Sequence, residues 1–149
     1  MTGYQEVFTD PSYFGQIVVM TMDHIGNYGA ASKDAESDSI KISGLVCKNY
    51  SPMHSRTMAD SSLNDYFIEH GFTGISDVDT RQIVKHIRDA GAMNAIISSE
   101  ILDVEELKRM LNKVPSMEGL ELSSKVWSTE TYEVNEGGSK KVALLDLGS

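Results

Sequence analysis

The chain has 149 residues, 40% of them hydrophobic, enough to fill one core of ordinary domain size. Thirteen basic residues against twenty-two acidic ones give a net charge of −9, which repels phosphate backbones and argues against nucleic acid as a partner. No run approaches the roughly 18 apolar residues of a membrane helix, the first residues lack the layout of a signal peptide, and Cys47 is the lone cysteine; the expectation is a cytoplasmic protein with no membrane contact, no internal disulfide and no multi-cysteine metal centre.

In chain order, the first strong signal is Gln16-Ile-Val-Val-Met-Thr-Met22, a β-branched run preceded by the turn formers Asp10-Pro11-Ser12 and Gly15, which predicts a strand. His24 to Ala31 holds Gly26, Asn27 and Gly29, a loop with two positions free to take positive φ. Ser32 to Ser39 is small and acidic and is expected to be a solvated connection. Ile40 to Lys48 predicts a second strand, with Gly44 marking a bulge or a close backbone approach. Leu63, Tyr66 and Phe67 fall at helical spacing after Asp60 and Ser61 as caps, and Gly71 stands where that helix stops.

Beyond the brief apolar stretch Phe72 to Ile75, Asp79 and Gln82 have the spacing of a capping box. Ile83, Val84 and Ile87 then form an apolar stripe, with Arg81, Lys85, His86 and Arg88 largely off it and Gly91 at the end. Ala92 to Ile97 predicts a strand, and Asp103 with Glu106 opens a further helix that stops near Pro115. Trp127 to Asn135 alternates weakly and is a candidate strand, followed by the linker-like Glu136-Gly137-Gly138-Ser139. Val142-Ala-Leu-Leu145 is a continuous apolar run before Asp146-Leu147-Gly148, the pattern of a parallel strand buried on both faces, and Lys141 to Ser149 is expected to be the first strand of a second domain. Eight Met against four Phe and one Trp predict an adaptable core rather than an aromatic-anchored one.

No complete catalytic set emerges. A lone cysteine in an apolar strand, as Cys47 is, behaves as a small buried hydrophobe. Asp23 and His24 are adjacent and so do not face each other as an orienting pair. His54, His70 and His86 have no metal-ligand spacing. Asp77, Asp79 and Arg81 suggest an acid cluster, but capping accounts for Asp79, and Arg81 can pair with either carboxylate. Gly26-Asn27-Tyr28-Gly29 lacks the glycine spacing of a phosphate-binding fingerprint.

Longer strings carry more. Met1-Thr-Gly-Tyr-Gln-Glu-Val-Phe-Thr-Asp-Pro-Ser-Tyr13, Gly15-Gln-Ile-Val18 and His24-Ile-Gly-Asn-Tyr-Gly29 closely resemble the small subunit of glutamine-hydrolysing carbamoyl-phosphate synthase. Gly44-Leu-Val46, Gly74-Ile75, Asp79-Thr-Arg81, His86-Ile-Arg88 and Gly91-Ala92 follow in that family's order, and Val142 to Gly148 looks like the start of its amidotransferase domain. Asp77 stands where members often have glycine. The resemblance implies an α/β fold, a small mixed-sheet domain with about three helices. It also implies a division into residues 1–135 as the small-subunit domain, 136–140 as a linker and 141–149 as the first strand of a class I glutamine amidotransferase domain.

Family members run a few tens of residues upstream of the string at Met1, so the resemblance implies a chain truncated at both ends. In the family the amidotransferase domain hydrolyses glutamine with a Cys-His-Glu triad and passes ammonia to a large subunit that uses ATP and divalent metal ions. The nucleophile lies in a Gly-x-Cys-x-Gly elbow, and Cys47 does not match it. One ligand position transfers: the serine of the Asp-Pro-Ser-Tyr turn, here Ser12, is expected to contact L-glutamine. The resemblance thus implies no catalytic residue, metal or cofactor in this segment, a role in carbamoyl phosphate synthesis for pyrimidines and arginine, and the large subunit as partner. The competing expectations are a non-catalytic protein-interaction module derived from that domain, and an independent small enzyme using Asp77, Asp79 and His86.

Overall fold

A computed structural model describes residues 3–135 and 137–148. The elements run α1 (Tyr4–Thr9), β1 (Ile17–Met20), β2 (Gly44–Cys47), α2 (Leu63–Glu69), β3 (Gly74–Ile75), α3 (Thr80–Ala90) and α4 (Val104–Leu111). The three strands form one sheet in the order β1-β2-β3, with Ile17 opposite Gly44 and Val46 opposite Ile75. Both pairings are parallel, so among the described residues the sheet is parallel rather than mixed as expected. Two long connections, 21–43 and 48–73, leave each strand free to return in the same direction, as parallel pairing requires.

Helix α1 carries no predicted signal, and the structure builds it from tertiary contacts. Its N-cap is Gly3 at φ 101°, which has no side chain to cap with. Instead the Tyr28 hydroxyl accepts the Gly3 and Tyr4 N–H groups at 2.7 and 2.9 Å. Tyr4 and Phe8 lie one turn apart and are wholly buried. The Tyr4 ring stacks on Tyr28 at 4.0 Å and its hydroxyl donates to the Gly29 carbonyl at 2.6 Å. Gly29 is at φ +76°, and a Cβ there would meet the Ser61 carbonyl at 2.7 Å, so the loop passes through a space only glycine fits.

The core is therefore aromatic, correcting the expectation of an adaptable one. Tyr4, Phe8 and Tyr28 join Ile25, Ile42, Leu45, Cys47 and Leu63, while Phe67 packs against Phe8 and Phe72. Met53, Met58, Met93, Met110 and Met117 are exposed. The anchors are tyrosines as well as phenylalanines, because a tyrosine ring buries well when its hydroxyl finds a partner.

Strand β2 is buried along its length, and β1 is half-buried. The predicted strand at Ile40 to Lys48 shortens at its front because Lys41 N–H donates to the Phe8 carbonyl at 2.8 Å and Ser43 N–H to the Gln16 carbonyl at 2.8 Å, fastening that stretch to the end of α1 and the start of β1. Gly44 marks a close approach: a Cβ there would meet Ile97 Cδ1 at 3.0 Å.

The helices at 63, 80 and 104 form as their signals indicate, making four α-helices with α1 among the described residues. The cap of α2 is Ser62, whose hydroxyl accepts the Asp65 N–H at 3.1 Å, rather than Asp60 or Ser61. Asp79 accepts the Gln82 N–H at 3.0 Å, and Asp103 accepts those of Glu105 and Glu106. Two predicted strands do not form. Ala92 to Ile97 joins no ladder among the described residues, and Asn94 bonds instead to the Val114 and Pro115 carbonyls. Trp127 to Asn135 is irregular.

Residues 141–148 form no strand either, because a ladder needs a neighbouring strand and none lies against them among the described residues. Val142 and Leu144 are 91% and 93% exposed. Glu136 of the predicted linker, Ser149 of the predicted strand, and Met1 and Thr2 at the front lie outside the described residues. No helix among the described residues is long and apolar enough to cross a membrane.

Candidate functional site

Ser12 sits in a turn that its own sequence makes rigid. Asp10 Oδ1 accepts the Ser12 N–H at 2.8 Å, Pro11 fixes the first position of a single 3₁₀ turn, and the Tyr13 and Phe14 N–H groups close on the Asp10 and Pro11 carbonyls. Gln16 Nε2 donates to the Ser12 carbonyl at 3.1 Å, and Gly15 N–H to the Lys41 carbonyl at 3.0 Å. Tyr13 packs against the core. The Ser12 side chain is exposed, and its hydroxyl makes no hydrogen bond among the described residues. A fixed backbone thus presents one free donor and acceptor to solvent, at the end of α1 and the entrance to β1.

The remaining candidates do not assemble beside it. Cys47 is buried in β2, and burial, with the Asp77 charge second, pushes its thiol above the ordinary value. Such a thiol is a poor nucleophile. Asp79 is occupied as the α3 cap, and Asp77 accepts the Ser76 hydroxyl at 3.0 Å. Arg81 makes no ion pair with either carboxylate among the described residues, contrary to expectation; it lines a groove together with Lys48, Lys85 and Arg88. Asp23 pairs loosely with Lys48 at 3.8 Å, not with His24. His24, His54, His70 and His86 are all exposed, and His70 is engaged through Nδ1 with the Tyr66 carbonyl. Among the described residues no His, Cys, Asp and Glu side chains gather as a metal cluster.

Residues 1–97, which hold the Ser12 turn, the sheet and α3, match the family model for the carbamoyl-phosphate synthase small chain, CPSase domain. The chain belongs to the carbamoyl-phosphate synthase small chain family. It is 49% identical to the carbamoyl phosphate synthase small chain of Synechococcus sp. across 89% of this chain and 34% of that relative. It is 45% identical to that of Syntrophotalea carbinolica, across 92% and 36%, and 40% identical to that of Bifidobacterium longum, across 99% and 40%. The chain thus spans about a third of the length of the curated carbamoyl phosphate synthase small chains it matches.

One feature of this small-chain domain is absent from the sequence signals above: a basic groove that only the fold assembles. A groove of about 410 Å³ at the opposite end of β1 from Ser12 is lined by Lys48, Arg81, Lys85 and Arg88, with Asp23 and Thr80 among its walls. The signal was present in the spacing of Arg81, Lys85 and Arg88, which puts three cations on one face of α3.

Proposed function

We propose that the chain works as the N-terminal part of the glutaminase subunit of carbamoyl-phosphate synthase, and that Ser12 reaches from it to glutamine held in an adjoining amidotransferase domain. The observation that carries this reading is the Asp10-braced turn, which spends its backbone groups on rigidity and leaves the Ser12 hydroxyl unused. A backbone already fixed in the turn loses little further freedom when the side chain it carries binds.

In this reading residues 1–135 are the small-subunit domain, 136–140 a linker and 141–149 the entrance of a class I amidotransferase domain. The exposed apolar run from Val142 to Leu147 fits a strand that is covered on both faces when neighbouring strands pair with it. Glutamine is hydrolysed by a cysteine elsewhere, since Cys47 is buried and lies in no nucleophile elbow. The large subunit, using ATP and divalent metal ions, takes up the ammonia to make carbamoyl phosphate for pyrimidine and arginine synthesis.

The test uses a small chain that includes the amidotransferase domain, assembled with the large subunit. Ser12→Ala is expected to raise KM for glutamine by about tenfold, the scale of one hydrogen bond to a charged group, while ammonia-dependent synthesis is unchanged. An unchanged KM would remove Ser12 from the site. The 149-residue chain is expected to capture the large subunit yet release no ammonia from glutamine. Failure of capture with the fold intact would favour a non-catalytic module binding another partner.

A further inference from the structure

The basic groove has no part in the reading above, because it lies at the other end of β1 from Ser12. Its position follows from the topology. Thr21 comes directly after β1, Lys48 directly after β2, and Thr80 opens α3 after β3, so the groove lies at the carboxyl ends of the parallel strands. Open parallel sheets take their ligands at that edge, where chain ends diverge and leave a crevice.

Charge reinforces position. Four cations and one carboxylate line this one groove in a molecule of net charge −9. Lys48 and Asp23 stand 3.8 Å apart, a loose pair, and Arg88 pairs with its neighbour Asp89 at 3.4 Å in full solvent. Arg81 and Lys85 make no ion pair among the described residues. Like charges four residues apart on a helix repel each other, so α3 gains no stability from holding them there. A counter-charge in the groove would relieve that repulsion.

We propose that this groove binds a small, multiply charged anion of the phosphate class, held by Arg81 and Lys85 from α3 and by Lys48 from the end of β2. Arg offers a planar fork that matches phosphate oxygens, and Lys a point charge that tolerates several orientations. The concave shape and a volume within the range of small-ligand pockets favour a small anion over a flat acidic protein surface.

The experiment titrates the isotope-labelled chain with inorganic pyrophosphate at constant ionic strength, following amide shifts by NMR. Saturable shifts centred on Lys48, Arg81 and Lys85 are expected. The double variant R81Q/K85Q should weaken binding by about tenfold or more, the scale of a lost charge-assisted contact. Lys85→Gln alone serves if the double variant unfolds. ADP is the second probe: equal affinity assigns recognition to the phosphates, and tighter binding extends it to a nucleotide. Shifts that never saturate, or saturation that the variants leave unchanged, overturn the proposal. So does a poly-glutamate peptide binding these residues where pyrophosphate does not, which would make the groove a protein contact.

Discussion

Gln5 and Ala31 are joined by two hydrogen bonds of 2.8 Å, with Gln5 Nε2 donating to the Ala31 carbonyl and the Ala31 N–H donating to Gln5 Oε1. The side-chain amide thereby stands in for a strand partner. It satisfies both backbone groups of a buried loop residue that no ladder serves, and Gln5 itself is wholly buried. Removing the amide should leave the Ala31 N–H unpaired, while its carbonyl keeps the Asp34 N–H at 2.9 Å. Gln5→Ala is expected to lower stability by about 1–3 kcal/mol, the cost of one buried donor left without a partner, measured by urea denaturation followed by circular dichroism. Gln5→Glu should be comparably damaging, because a carboxylate cannot donate to the Ala31 carbonyl.

The alkaline limb of stability should be steep. Burial pushes the phenols of Tyr4, Tyr28 and Tyr66 above their ordinary value of 10.0, Tyr4 most of all, and lifts the Cys47 thiol above 9.0. The unfolded chain therefore releases these protons at lower pH than the folded one. Their contribution is fully present below the unfolded values and is lost as pH rises from about 9 upward through the folded ones. Melting temperature should fall between pH 9 and 11. Tyr4→Phe should be less stable at neutral pH, having lost the bond to Gly29, but show a shallower alkaline decline.

The acid limb is carried partly by Asp34. Its hydrogen bond and ion pair with Arg56 hold its carboxyl below the ordinary 3.8, so the stability it confers is present above that value and lost as pH falls through the folded one. Asp34→Asn should be less stable than the parent near neutrality, and the difference should shrink as pH falls below 3.8 and the folded carboxyl takes up its proton. Denaturant midpoints at several pH values measure this directly.

Asp77 occupies left-handed backbone at φ 62°, a region glycine enters without the crowding a Cβ brings. Asp77→Gly should stabilise by about 0.5–1 kcal/mol, the relieved Cβ crowding outweighing the greater freedom of the unfolded chain. Asp77→Val should destabilise. The Cys47 thiol should move only part of the way back toward its ordinary value in the glycine variant, since burial is the larger cause.

Local signals were legible wherever a side chain acts on its own backbone. The caps at Asp79 and Asp103, the stop at Gly91 and the loop glycines at 26 and 29 all stand as their sequence indicates. What escaped is long-range. Helix α1 is capped by Tyr28 from 25 residues away, and nothing within Tyr4–Thr9 announces it. Ala92 to Ile97 has strand composition, but Asn94 and Ile97 are drawn toward Val114 and Gly44. Composition cannot say which of two partners wins. The Ser12 turn was legible because its bracing is local, whereas the basic groove required α3 and the end of β2 to be brought together.

The burial of Cys47 has a practical side. A single native thiol, shielded in the central strand and held protonated by its surroundings, will react slowly with maleimides. The unmodified sequence is therefore already a background for site-specific labelling. A cysteine introduced at Ser12 or at Lys85 would carry a fluorophore without competition, giving one reporter at each end of β1.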